Sequence, residues 1–239
     1  MIAVAFVATL IAVACALVAI MTGAARRAGG SFPAKAMVVV GGWLAVTGLV
    51  TAAGLTKLDG GPPRVLALPI IAIAVGLVAL RSKTGRALIA AASPAQVIAL
   101  QAFRLPVELV LWRLFLGGVM PVQMTFEGRN FDVLVGLRAI PVAILAARRA
   151  SPRLVLAWHA LGLVLLANIV VVAILSVPGP LRAFWNEPAN TVVGSLPYVW
   201  LPAFLVPIAL LGHVVGIRQA LAACRPEAAP RVVDGSVTR

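Results

Sequence analysis

The chain has 239 residues, of which 62% are hydrophobic and 11% are charged. A soluble domain of this length would leave much of that apolar surface in water, which excludes the soluble globular class. The net charge of +13 would suit a nucleic-acid partner, but its arrangement along the chain argues against one.

Seven windows of about 20 apolar residues predict transmembrane helices. They cover residues 2–22, 35–55, 65–80, 93–120, 132–147, 154–176 and 198–217. The connecting loops are too short for a separate soluble domain, so residues 1–217 are predicted to form one all-α, polytopic membrane helix bundle. A tail of residues 218–239 follows, and its proline-containing end is predicted to be disordered.

The basic residues give a prediction of topology. Thirteen of the 20 lysines and arginines follow the first, third, fifth and seventh predicted spans, and four follow the others. By the positive-inside rule the N-terminus lies outside and the C-terminus lies in the cytoplasm. Arginine outnumbers lysine 17 to 3, which is typical of GC-rich bacteria, so we expect a multi-pass protein of the bacterial inner membrane.

Polar side chains interrupt the fourth predicted span. Gln101, Arg104 and Glu108 project within about 60° of one another on a helix, because each residue turns by about 100°. A charge near the bilayer centre is costly unless it finds a partner or water, so the three residues predict a functional site. Pro106 predicts a kink beside them. The alternative is an ion pair between Arg104 and Glu108 that only holds helices together.

Two further arginines fall within predicted spans, Arg113 in the fourth and Arg138 in the fifth. With Arg104 they outnumber Glu108, although Asp132 can neutralise one of the three. The positive excess indicates an anionic ligand, such as a carboxylate, a phosphate or a lipid head group. The alternative for the two further arginines is extension toward the lipid head groups.

Two loops on the predicted outer side carry further candidates for the binding site. The first loop fits a tight turn and is interpreted as a lid over the pocket, as a set of ligands for a hard cation, or as helix capping with a surface salt bridge. The second loop can complete either site or serve only its own turn. The candidates are Glu127, Asn130 and Asp132 in the first loop and Asn186, Glu187 and Asn190 in the second.

Several segments of the second half share a pattern. They are residues 101–108, the motif TFEGRNFD at 125–132, the motif NEPAN at 186–190, and the helix from Leu201 to His213. Together they resemble a family of uncharacterised bacterial seven-helix integral membrane proteins, over roughly residues 101–221. The resemblance implies a shared arrangement of the bundle and transfers no activity.

The two histidines, His159 and His213, each lie five or six residues from a basic residue on the predicted cytoplasmic side. At one depth on neighbouring antiparallel helices they can hold haem b axially or share a metal ion. The alternative is a buried pair satisfied by hydrogen bonds. No phosphate-binding loop or common hydrolase motif occurs, which argues against ATP-driven action by this chain alone.

Three functional interpretations follow. The first is binding or transport of an anionic small molecule or lipid head group in a polar intramembrane pocket open to the outer face. Arg104 would be the main anion ligand and Glu108 its orienting or proton-coupled partner. The second is a membrane redox protein or enzyme with haem or metal on the two histidines. The third is a structural partner in a membrane complex or homo-oligomer. The expected partners are the lipid bilayer and the anionic molecule, with no nucleic acid.

Overall fold

A computed structural model describes residues 1–30, 33–61, 63–148 and 151–225. Within these ranges the chain is helical and contains no β-strand, which confirms the predicted all-α class. Short 3-10 turns join several of the helices, and a π-helical turn, Leu201–Leu205, leads directly into the last one. The α-helices of the described residues are α1 (Ile2–Arg27), α2 (Pro33–Ala52), α3 (Ala67–Arg81), α4 (Lys83–Ala91), α5 (Pro94–Leu100), α6 (Arg104–Leu116), α7 (Val133–Ala147), α8 (Pro152–Ile174) and α9 (Val206–Ala223).

Several helical segments are long and apolar enough to cross a membrane. A further span results if α4 and the segment Pro94–Leu116, which meet at 93°, are counted as one broken span. Helix α7 has 15 residues and so is only about 22 Å long, shorter than the roughly 30 Å of the hydrocarbon core. The predicted number of seven spans therefore stays a prediction. The five segments of sufficient length are Ile2–Arg27, Ala34–Ala52, Arg64–Arg81, Pro152–Ile174 and Leu201–Ala223.

The fourth predicted span is divided into two helices. A 3-10 turn, Gln101–Phe103, separates α5 from α6, so the interruption lies just before Arg104. Pro106 consequently falls in the first turn of α6, where its missing amide donor has no helical acceptor to lose. The change from 3-10 to α-helical geometry therefore lies immediately before Arg104.

The loop end of the bundle is the end at which α1 begins and three loops meet. Thr56 Oγ1 donates a hydrogen bond to the carbonyl of Gly194 at 2.8 Å, which joins two of these loops. Gln123 Nε2 donates to Ser176 Oγ at 3.0 Å, which adds the third loop, and the rings of Phe6 and Tyr198 lie 5.2 Å apart, which places the start of α1 beside these loops. The loops are residues 53–61, 117–132 and 175–200.

The opposite end, here named the basic end, is where α1, α3, α4 and α9 meet. Arg27 Nε donates to the carbonyl of Ala91 at 2.7 Å, and Arg218 Nη1 donates to the carbonyl of Leu80 at 3.1 Å. Two arginines that the sequence assigns to the cytoplasmic side thus share one end of the bundle. Helix α9 continues to Ala223, and the predicted disordered end of the tail lies outside the described residues.

Helices α8 and α9 pack closely because glycines face the histidines. A Cβ atom on Gly162 would overlap the ring of His213, and one on Gly216 would overlap the ring of His159. Gly212 precedes Gly216 by four residues, the spacing of small residues that lets membrane helices approach closely. This interface and the apolar core around α1 and α6 hold the second half of the chain in place.

Candidate functional site

Three charged side chains are buried in the interior of the bundle. Arg104 and Glu108 are each 3% exposed, and Asp132 is 5% exposed. Arg104 Nη2 lies 3.5 Å from Asp132 Oδ2, and Arg104 Nη1 donates to the carbonyl of Gly162 at 3.4 Å. The expected pairing of Arg104 with Glu108 is therefore corrected. Arg104 extends toward α7 and α8, and its ion-pair partner is Asp132, which immediately precedes α7.

Glu108 is held by the loop instead. Asn130 Nδ2 donates to both carboxylate oxygens of Glu108, at 2.8 and 2.7 Å, and lies 3.1 Å from the carbonyl of Met124. Asn130 Oδ1 accepts a hydrogen bond from the backbone amide of Asp132 at 3.1 Å. Because this loop folds back into the bundle, Asn130 is fully buried and α7 begins below the loop end. We name Arg104, Glu108, Asn130 and Asp132 the charge cluster.

The charge cluster has unused hydrogen-bonding capacity. Among the residues described, Arg104 Nε, Arg104 Nη2 and Asp132 Oδ1 are buried and have no hydrogen-bond partner. Buried polar atoms are normally partnered, and each one left without a partner costs about 1–3 kcal/mol. The two Arg104 nitrogens can therefore donate hydrogen bonds to a ligand or to water, and Asp132 Oδ1 can accept one.

A cavity of about 420 Å³ adjoins the charge cluster. Pockets for small molecules usually measure about 300–1,000 Å³ and are mostly apolar with a few placed polar groups. This cavity has that character, since its other lining side chains, from α3, α6, α8, α9 and the adjoining turns, are apolar. The polar side chains that line it are Arg104, Glu108, Asn130, Asp132 and Asn190.

Two of the arginines predicted to bind the ligand lie elsewhere. Arg113 and Arg138 are exposed, and neither lines the cavity. The exposed positions suit extension to lipid head groups, the alternative considered from the sequence. The expected positive excess is therefore absent from the described wall of the cavity, which has one cation, Arg104, and two carboxylates.

Gln101 is fully buried but does not line the cavity. Its Nε2 donates to the carbonyl of Ala209 at 3.3 Å, and it fills the space left by Gly212. The side chain thus joins α9 to the turn before α6. Gln101 lies three residues before Arg104, but its side chain contacts α9 and not the charge cluster. Its observed role is helix packing.

The second loop divides its candidates between the interior and the surface. Asn190 is fully buried and reaches the cavity, with Nδ2 3.5 Å from the carbonyl of Ala173. Asn186 and Glu187 are exposed. Glu187 accepts a hydrogen bond from Arg182 Nη2 at 2.7 Å, and this bond holds the pKa of the Glu187 carboxyl below its usual value.

The first loop does not assemble the expected set of cation ligands. Glu127 is exposed and accepts a hydrogen bond from Trp112 Nε1 at 2.7 Å, whereas Asn130 and Asp132 point into the bundle. Across residues 1–30, 33–61, 63–148 and 151–225 no group of three or more His, Cys, Asp or Glu side chains could hold a metal ion. Asn130 and Met124 instead form part of the wall of the cavity.

The two histidines meet as the sequence predicts, but they do not fit haem. His159 Nδ1 and His213 Nδ1 lie 3.0 Å apart, a hydrogen-bonding distance. Two axial nitrogens on one iron would lie about 4 Å apart, since metal–imidazole bonds measure about 2.0 Å. The rings also pack directly against Gly216 and Gly162, which leaves no room for a porphyrin between the helices.

Comparisons of the sequence with protein-family models and with curated proteins, and of the fold with solved structures, found no match. The resemblance to a family of seven-helix membrane proteins accordingly stays a prediction. The functional argument depends on the geometry of the cavity and the charge cluster.

Several residues around the histidine pair were not connected with it from the sequence, where Trp158 was expected to be an anchor at the inner membrane interface. Trp158 packs against both histidines, with ring centroids 4.9 and 5.5 Å from theirs. Each histidine is followed three residues later by the glycine that faces the other histidine, Gly162 after His159 and Gly216 after His213. This repeated H-x-x-G spacing was the signal that could have revealed the pairing.

Proposed function

We propose that this chain is an integral protein of the bacterial inner membrane that binds or transports an anionic small molecule or lipid head group. The charge cluster and the adjoining cavity would form its binding site. We also propose seven spans, with the loop end outside and the basic end in the cytoplasm. The grouping of Arg27 and Arg218 at one end supports this orientation.

The observation that carries the proposal is the state of Arg104. Its guanidinium is buried and lines the cavity, yet two of its nitrogens lack hydrogen-bond acceptors within the described part of the chain. Its 3.5 Å contact with Asp132 is longer than the roughly 2.7–2.9 Å of a charge-assisted hydrogen bond. A carboxylate or phosphate in the cavity would accept from both free nitrogens, as guanidinium forks commonly allow.

The charge balance assigns a role to Glu108. With Arg104, Glu108 and Asp132 all ionised, the cluster would carry one negative charge in a setting where unbalanced charge is costly. A proton on Glu108 removes that charge and turns an acceptor into a donor toward an incoming anion. Binding of the anion would then require Glu108 in its protonated form.

Extraction of bound molecules tests this proposal. The protein is purified in mild detergent, and its small molecules are identified by mass spectrometry for the native chain, Arg104→Gln and Arg113→Gln. Arg113 is the matched control because it is an exposed arginine on the same helix that does not line the cavity. We expect one acidic compound in the native chain and in Arg113→Gln, and its loss from Arg104→Gln.

Two results would contradict the proposal. One is an equal content of acidic compounds in all three proteins, which would favour the structural interpretation of the charge cluster. The other is an equal loss from both variants, which would indicate a general effect of removing positive charge.

A further inference from the structure

Loops cover the cavity at the loop end of the bundle. Its lining residues at the loop end are buried, and they include Met124 at 2%, Asn190 at 0% and Val193 at 7% exposure. The loops therefore close the cavity toward the side on which the sequence predicted it to open. These buried side chains lie between the water at the loop end and the cavity, and they block the direct approach of a dissolved anion to Arg104.

The opening lies between α3 and α8. Among the described residues that line the cavity, the exposed ones are Ile70 on α3 and Ala167 and Val171 on α8. Ile70 is 65% exposed and Val171 is 53% exposed. Both helices pack against α9 but scarcely touch each other, so a gap remains between them over the cavity. We name this opening the α3–α8 gap.

The surroundings of the gap are apolar. Outward-facing side chains on the same two helices include Val75 on α3, 62% exposed, and Val164 on α8, 64% exposed. In a bilayer such side chains contact acyl chains, because exposed apolar surface of this extent is tolerated there and not in water. The α3–α8 gap thus connects the cavity with the hydrocarbon region of the membrane.

We infer that the ligand is a membrane lipid with an acidic head group, which reaches Arg104 from the bilayer through the α3–α8 gap. This inference rests on the proposed function of the same cavity and specifies the class and the source of its ligand. The head group would lie at the charge cluster, and the acyl chain would occupy the apolar part of the cavity. The tail would extend between Ile70 and Val171 into the bilayer.

The chemistry of the cavity favours this amphipathic ligand over a small soluble anion. Its polar groups lie together around Arg104 and Asp132, while the remaining wall offers only apolar side chains apart from Asn190. A soluble anion would satisfy the donors of Arg104 but would leave this apolar volume empty or filled with water. An acyl chain would fill that volume, and the contact between its apolar surface and the apolar wall would favour binding.

Photolabelling with a lipid probe tests the inference. The protein is placed in vesicles of phosphatidylethanolamine and phosphatidylcholine, which carry no acidic head group, and the vesicles contain palmitate with a diazirine near the middle of its chain. Labelled peptides are then mapped by mass spectrometry. In Ala167→Trp the indole fills the gap, and in the matched control Leu154→Trp it is placed at an exposed position of the same helix about 20 Å from Ala167, away from the cavity. Thermal unfolding of both variants verifies that they are folded, and Ile70→Trp replaces Ala167→Trp if the latter is not.

We expect labelling of the residues of α3 and α8 that line the cavity, its suppression by unlabelled palmitate, and its loss in Ala167→Trp but not in Leu154→Trp. Labelling in Ala167→Trp at the native level would overturn access through the gap. Retention of hexanoate, a soluble anion, by the native chain and Ala167→Trp alike, with loss in Arg104→Gln, would overturn the inference and leave the proposed function standing. Failure of the proposed function itself would appear as unchanged ligand content in Arg104→Gln.

Discussion

The ion pair between Arg104 and Asp132 allows the stability of the protein to be separated from its binding of ligand. The two side chains are almost fully buried, with 3.5 Å between Arg104 Nη2 and Asp132 Oδ2. At this distance and an effective dielectric constant of about 20, their attraction is about 5 kcal/mol before the cost of desolvation. That cost offsets much of it, so the pair as a whole contributes little.

The single substitution Arg104→Met should therefore destabilise the protein strongly. It leaves the Asp132 carboxylate buried without a cation, which costs about 3–5 kcal/mol in comparable buried pairs. Adding Asp132→Asn removes the stranded charge and keeps the volume of the side chain, so the double variant should recover most of the lost stability. Asp132 makes no side-chain capping hydrogen bond to α7, so helix capping does not complicate the comparison.

The assay has two measurements on the same three proteins: the native chain, Arg104→Met and the double variant. Thermal unfolding in mild detergent is followed by the fluorescence of the five tryptophans, and bound acidic compounds are quantified by mass spectrometry. We expect the order of unfolding temperatures to be native, double variant, then Arg104→Met, and no ligand in either variant that lacks Arg104. An unchanged unfolding temperature in Arg104→Met would refute the reasoning about the buried pair. Ligand in the double variant would refute the role of Arg104 in binding.

Three further outcomes can be measured. Affinity for the anion should fall as the pH rises, because Glu108 loses its proton, and titration of Glu108→Gln should show a flat profile; a native-like slope would contradict this. Gly216→Ala should lower the unfolding temperature, because the new methyl group overlaps His159, whereas Gly41→Ala, which meets no atom within 4 Å, should not; equal temperatures would exclude the close packing. The pKa of Glu187 is lowered by its arginine partner, so their contact should be present at neutral pH and lost as the pH falls through that lowered pKa. Glu187 Oε2 also accepts a hydrogen bond from the backbone amide of Ala189 at 2.9 Å, so the protection factor of that amide, corrected for its intrinsic exchange rate, should fall in acid; a constant protection factor would contradict this.

The helical class and the shared burial of Gln101, Arg104 and Glu108 could be predicted from the sequence because both follow from local patterns. Apolar windows of about 20 residues predict helices wherever they fall in the bundle. Gln101, Arg104 and Glu108 share a face through helical periodicity alone, and all three are buried. The meeting of His159 and His213 could be predicted from their equal distance to the basic flanks of antiparallel helices.

The pairing within the charge cluster could not be predicted because it depends on a loop. Spacing favours Arg104 with Glu108, but the loop before α7 returns into the bundle and supplies Asn130 and Asp132. A periodic pattern carries no information on how far a loop folds inward. The same loop explains why α7 begins below the loop end and is short, as the short apolar window of residues 132–147 predicted.

The positions of Arg113 and Arg138 show a second limit of the sequence. Both arginines lie in apolar windows, and counting charges cannot tell an interior side chain from one that faces the lipid. On a helix a change of one position rotates the side chain by about 100°, so Arg113 can share the helix of Arg104 and still point away from the cavity. The charge of the site is set by which residues face inward, not by the number of arginines in the spans.

The two buried polar groupings of this bundle differ in a way that bears on function. His159 and His213 bond to each other, and each also has a ring nitrogen without a partner within the described residues. Those nitrogens lie in closely packed surroundings beside glycines, where no molecule can reach them, so they represent only a cost to stability. The free nitrogens of Arg104 lie beside a cavity that opens through the α3–α8 gap, where a ligand can form the missing hydrogen bonds. An unpartnered polar atom indicates a binding site when space adjoins it, and in this chain that condition is met at Arg104 and not at the histidines.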